Sequence, residues 1–168
     1  MTTQSAKGQT ATSGAGLSRQ AINEISETLK QLLADVFTLY LKTKGFHWHI
    51  TGRHFRDYHL LLDEQAEQIF AMTDDIANRA RKIGGYTPRS IGEISRHQRI
   101  KDADDGSLLS RQMLSELRDD NAQLICFLRS AHEVCARNND VANTSLIEGW
   151  IDQTDRRNWF LTEIVSDI

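Results

Sequence analysis

At 168 residues, with 39% hydrophobic and 26% charged residues, the chain has the composition of a single soluble domain able to bury its own core. A formal charge of -3 argues against a strongly basic surface built to grip nucleic acid. No window is apolar enough for a spanning helix, and the opening MTTQSAKGQTATSGAGLSRQ lacks the apolar run of an export signal, so the expected location is the cytoplasm.

Residues 1–17 are rich in Ser, Thr and Gly and read as a flexible tail ahead of a domain over 18–168. Ser18 is placed to cap a first helix, with Leu17 and Ile22 as a hydrophobic staple around it. From there Ile22, Ile25, Leu29, Leu32, Leu33, Val36 and Tyr40 recur at helical spacing, and the helix is predicted to end near Trp48. Thr51 and Gly52 break the pattern. A second helix follows from about His54 to Ile83, with Phe55, Leu62, Ala66, Ile69, Thr73, Ile76 and Ala80 on one face and Gly84–Gly85 as its stop.

Pro88 then enforces a turn, and Ser90 with Glu93 predicts a capping box on a short helix within the connection. A third long helix is expected from about Ser107 to Arg137, with Leu114, Leu117, Asn121, Leu124, Leu128, Ala131 and Cys135 in phase. A turn at Asn138–Asp140 leads to a fourth, carrying Leu146, Trp150, Ile151, Leu161 and Ile164. One proline, no sustained two-residue alternation and four long amphipathic segments predict an all-α four-helix bundle with a short helix in its long crossover. Cys126 and Cys135 stand nine apart on one helix, so they face opposite ways and cannot bridge; both are expected to fill the core.

The chemistry concentrates between His47 and Asn78. His59 and Asp63 are four apart, neighbours on one helical face and able to share an ion. Asp63 and Asp74 share nearly the same angular position but lie roughly 16 Å apart along the helix axis, too far for one ion to touch both. If both ligate, a second copy of the helix must complete the site across a two-fold axis. On a helical wheel the core residues occupy an arc of about 80°, and His59, Asp63, Glu67, Asp74 and Asn78 fall on the adjoining arc of about 100°, a placement suited to a subunit interface. His47, at the end of the first helix, is brought alongside by the short turn. Imidazole and carboxylate donors without thiolate suit iron, zinc or manganese. A single such histidine is more commonly a packed structural residue, and a single helical aspartate a solvated one; the weight lies in four ligand types in register.

The stretches FHWHITG, HFRDYHLLLD and DDIANRARKIGG, in that order and spacing, closely resemble the Dps family of ferritin-like mini-ferritins, and the likeness extends over about 18–165. This resemblance implies a twelve-subunit shell that binds Fe2+ at interfaces, oxidises it with hydrogen peroxide in preference to dioxygen, stores Fe3+ mineral and protects DNA. By position it implies that His47, His59 and Asp63 ligate from one subunit and Asp74 from its partner, a ferroxidase site that Zn2+ or Mn2+ can also occupy. Trp48 would sit beside it to quench oxidising equivalents. One departure stands out: where the family carries a glutamate, this chain has Asn78, which offers an amide oxygen but no charge, so the site is expected to be attenuated. Glu67, on the same stripe, is the candidate to replace part of that carboxylate. Larger ferritins place a Glu-x-x-His pair inside one bundle, and no Glu-x-x-His occurs here.

The alternative expectation is mainly structural: a DNA-compacting, nucleoid-associated protein with a weakened iron site. Its contact would rest on a tail carrying Lys7, Arg19 and the terminal amine, a weak and salt-sensitive footing.

Overall fold

The computed structural model describes residues 16–166, so the expected tail lies outside it except for Gly16 and Leu17. Five helices follow in order: α1 (Arg19–His49), α2 (Phe55–Lys82), α3 (Ile91–His97), α4 (Ser110–Arg137) and α5 (Val141–Ser166). There is no strand among the described residues, and no helix is long and apolar enough to cross a membrane. α1 packs along α2 and α4 along α5, and the two hairpins meet chiefly through α1 and α4, as the bundle reading requires.

Local chemistry sets the boundaries. Ser18 Oγ accepts from the Ala21 N–H at 3.1 Å, and Leu17 beside it is buried. Gly52, at φ 107°, makes the α1–α2 turn in a conformation that L side chains rarely adopt. Gly85 is required for space: a Cβ there would lie 1.9 Å from Ser26 Oγ. Ser90 Oγ accepts from the Glu93 N–H, but the Glu93 carboxylate reaches Arg89 N instead of Ser90 N, so the capping box is displaced by one residue. α4 starts at Ser110, later than expected, because Ser107 is held by Asp105 in the connection while Gln112 caps the Leu109 N–H.

The core follows the predicted stripes on α1, α2 and α4, with three corrections. Phe55 is 45% exposed, since it opens α2 and packs its ring 5.0 Å from that of His59 instead of entering the core. Cys126 is exposed while Cys135 is buried, as their opposite directions demand, and burial pushes the Cys135 thiol up to about 12. The buried face of α5 runs through Asn143, Ile147, Trp150, Thr154, Arg157, Leu161 and Val165, leaving Leu146, Ile151 and Ile164 half-buried beside it.

Polar clamps lock the crossover and the hairpins. Asp35, fully buried on α1, accepts from Arg99 N (2.5 Å), Nε (2.9 Å) and Nη2 (2.6 Å) and from Ile100 N (3.2 Å). Burial pushes its carboxyl above the ordinary range, and these N–H donors oppose that shift. The Arg99 guanidinium also lies 3.8 Å from the centre of the Phe127 ring, tying α1, the crossover and α4 together. Lys42, also buried, bridges Asp120 at 2.8 Å and Glu116 at 3.1 Å. Asp35→Asn turns an amide donor toward these N–H groups; it is expected to destabilise the fold by about 3 kcal/mol, read as a lower midpoint in denaturant. An unchanged midpoint would show that the clamp adds nothing.

Candidate metal centre

The antiparallel turn at Thr51–Gly52 brings the last turn of α1 against the first two turns of α2. There the rings of His47 and His59 stack at 3.7 Å between centroids and 22° between planes. Each binds the other's backbone: His47 Nδ1 to His59 O at 2.8 Å, and His59 Nδ1 to His47 O at 2.9 Å. A carbonyl oxygen only accepts, so both Nδ1 atoms must carry hydrogen, and each Nε2 keeps its lone pair available as a donor to metal. Metal-binding histidines are fixed by such outer contacts, which set the tautomer before the ion arrives.

Asp63 lies one turn beyond His59. Its Oδ1 is 3.9 Å from His47 Nε2. Two donors each about 2.1 Å from a shared ion can be separated by up to about 4.2 Å, so this pair fits a single cation. Lys44, one turn before His47, places its ammonium on the same Asp63 oxygen. That hydrogen bond, with smaller contributions from His47 and His59, holds the Asp63 carboxyl below the usual carboxylate range. The Lys44 amine is raised in turn, mostly by Asp63, with Tyr40 and Glu67 adding to the field. Sequence reasoning passed over Lys44 because an ammonium is not a ligand; its spacing of three from His47 was the available signal.

Asp74, Asn78, Glu67 and Trp48 do not join this cluster. Asp74 is exposed on α2, where its Oδ2 accepts from Asn78 Nδ2 at 2.7 Å. Trp48 is 61% exposed and lines a groove formed with Leu41, Phe46 and the 102–106 connection. Among the described residues no three imidazole, carboxylate or thiolate groups of one chain converge to hold an ion. One chain thus places His47, His59 and Asp63 side by side and, three turns farther along α2, an exposed carboxylate, Asp74.

Comparison with known proteins gives the same architecture a wider setting. The ferritin-like domain family matches residues 26–168. DNA protection during starvation protein 1 of Deinococcus radiodurans is 29% identical over 151 residues, covering 90% of this chain and 73% of that one. Among solved structures, Dps from Thermosynechococcus elongatus aligns with a TM-score of 0.84 at 26% identity, over 87% of this chain and 92% of that one. Dps from Vibrio cholerae, described as a member of a broad superfamily of ferritin-like diiron-carboxylate proteins, aligns with a TM-score of 0.87 at 23% identity, over 96% and 99%; at that identity it speaks for the fold alone.

Proposed function

Because this chain belongs to the Dps family of ferritin-like proteins, we propose that it oxidises Fe2+ at sites shared between two subunits and stores the Fe3+ product inside a twelve-subunit shell. The observation that carries this reading is the reciprocal His47–His59 pair, which fixes two imidazole donors beside Asp63 while leaving the fourth predicted ligand, Asp74, exposed on the same helix. A two-fold partner lying antiparallel would present its Asp74 to this half-site and receive the same in return.

Ferrous iron is the substrate. To bind, it displaces the Lys44 ammonium from Asp63, and Glu67, within electrostatic reach, offers that ammonium a new partner. Asp63, held ionised by Lys44, is ready to accept a cation without first losing a proton. Hydrogen peroxide, used in preference to dioxygen, takes one electron from each of two ferrous ions: 2 Fe2+, H2O2 and 2 H+ give 2 Fe3+ and 2 H2O. Drawing both electrons into one peroxide avoids release of hydroxyl radical. Trp48, next to His47 in the chain and exposed, is assigned the role of sink for stray oxidising equivalents. Asn78 supplies no charge for a second cation, so the first ferrous ion binds well and the second weakly. Zn2+ and Mn2+ are expected to compete for the same donors.

Protection of DNA, the role named for the Deinococcus relative, then follows from removing ferrous iron and peroxide together in the cytoplasm. Peroxide titration into anaerobic Fe2+-loaded protein tests the reading. Two ferrous ions consumed per peroxide, with no radical-trap signal, is the expected result; one per peroxide with trapped hydroxyl radical would contradict it.

A further inference from the structure

A second polar site lies on the flank of α2 turned away from His59 and Asp63, in the cleft between α2 and α5. Its centre is Arg157, only 1% exposed. The guanidinium is held by neutral groups: Nε donates to Asn121 Oδ1 at 3.1 Å, and Nη2 donates to Thr154 Oγ1 at 2.7 Å and faces Met72 Sδ at 4.0 Å. Nη1 has no partner, and no carboxylate among the described residues lies within ion-pair distance of Arg157. Burial lowers its pKa to about 10, which still leaves it charged at neutral pH. A buried charge without a counter-ion is strongly disfavoured, and a partner is expected.

The space for that partner is present. Arg157 lines a small cleft of about 40 Å3, open to solvent, bounded also by Gln65, Gln68, Glu64, Arg156 and Phe160. Gln65 is 3% exposed, and its Oε1 is an acceptor with no donor. Arg156 stands at the rim, its guanidinium 5.3 Å from the Phe160 ring centre, and adds a second positive charge. Two residues that line the pocket, Arg157 and Gln65, thus each carry an unmatched buried polar atom, and the pocket has excess positive charge. A halide or sulfate satisfies the donor and the charge but cannot donate to Gln65. Inorganic phosphate, which keeps at least one proton near neutral pH, does all three, and its P–OH is also compatible with the Glu64 carboxylate at the mouth.

We propose that the α2–α5 cleft is a binding site for hydrogen phosphate, with Arg157 and Arg156 holding its anionic oxygens and Gln65 accepting from its hydroxyl. The site does not depend on the iron chemistry, so it is measured on iron-free, full-length protein by equilibrium dialysis with radiolabelled inorganic phosphate at fixed ionic strength. Saturable binding near one phosphate per chain is expected, with sulfate displacing it at least tenfold less effectively than unlabelled phosphate. Arg156→Gln, at the exposed rim, should weaken binding several-fold, and Arg157→Met should abolish it. If Arg157→Met does not fold, Gln65→Leu decides: it should bring phosphate and sulfate to comparable affinity by removing the acceptor. Absence of saturable binding, equal competition by sulfate in the natural chain, displacement by bicarbonate at lower concentration than by phosphate, or unchanged binding in Arg156→Gln would each overturn the proposal.

Discussion

Asp63→Ala lowers the rate of Fe2+ oxidation by roughly a hundredfold, the scale on which metal sites respond to loss of their supporting groups, while the protein stays folded. The Asp63 side chain is 40% exposed, so its loss opens no enclosed cavity. What disappears is the carboxylate beside His47 and His59, together with the counter-charge of Lys44. With Asp63 gone, two imidazoles and an ammonium without its Asp63 partner remain, an arrangement that disfavours a divalent cation. Anaerobic Fe2+ binding followed by stopped-flow oxidation checks this, with thermal unfolding as the control for structure. Unchanged oxidation in folded Asp63→Ala would mean that iron reacts elsewhere.

Asn78→Glu moves the rate the other way, accelerating oxidation by roughly tenfold, equivalent to about 1.4 kcal/mol in binding of the second ferrous ion. In the natural chain Asn78 Nδ2 donates to Asp74 Oδ2, so the amide orients that carboxylate but contributes no charge. Glutamate there supplies a second anion one turn from Asp74 and reaches one methylene farther. Without metal the two like charges repel across one turn, at a cost of about 0.2–0.5 kcal/mol. The variant is therefore expected to be slightly less stable when iron-free and faster when iron is supplied. Gain in rate with loss in apo stability separates a metal-site effect from general stabilisation.

The helical stripes of α1, α2 and α4 were legible because their buried positions are mostly apolar and recur at helical spacing. The stripe of α5 was not, since Asn143, Thr154 and Arg157 hold buried positions that a hydrophobicity pattern assigns to solvent. The start of α4 was misplaced because Ser107 has the residue type of a cap, while the decisive contact is the Gln112 side chain on the Leu109 N–H. At the candidate centre, spacing alone brought His47, His59 and Asp63 near one another and set Asp74 apart, and the folded chain has that arrangement. The reciprocal carbonyl contacts that fix both imidazoles, and the Lys44 ammonium on Asp63, depend on how two helices face each other across a turn. No linear pattern encodes that. Asn78 was visible as a departure, but its hydrogen bond to Asp74 needed the folded helix.

Sharing of the site between subunits is tested most directly by combining two inactive chains. Asp63→Ala keeps Asp74, and Asp74→Ala keeps the His47, His59 and Asp63 half-site. When the two are co-assembled in equal amounts, half of the two-fold interfaces pair unlike chains, and each of those carries one complete site of its two. Oxidation should recover to about a quarter of the natural rate, although each variant alone is inactive. Mixed shells no more active than either parent would contradict a site built from two chains.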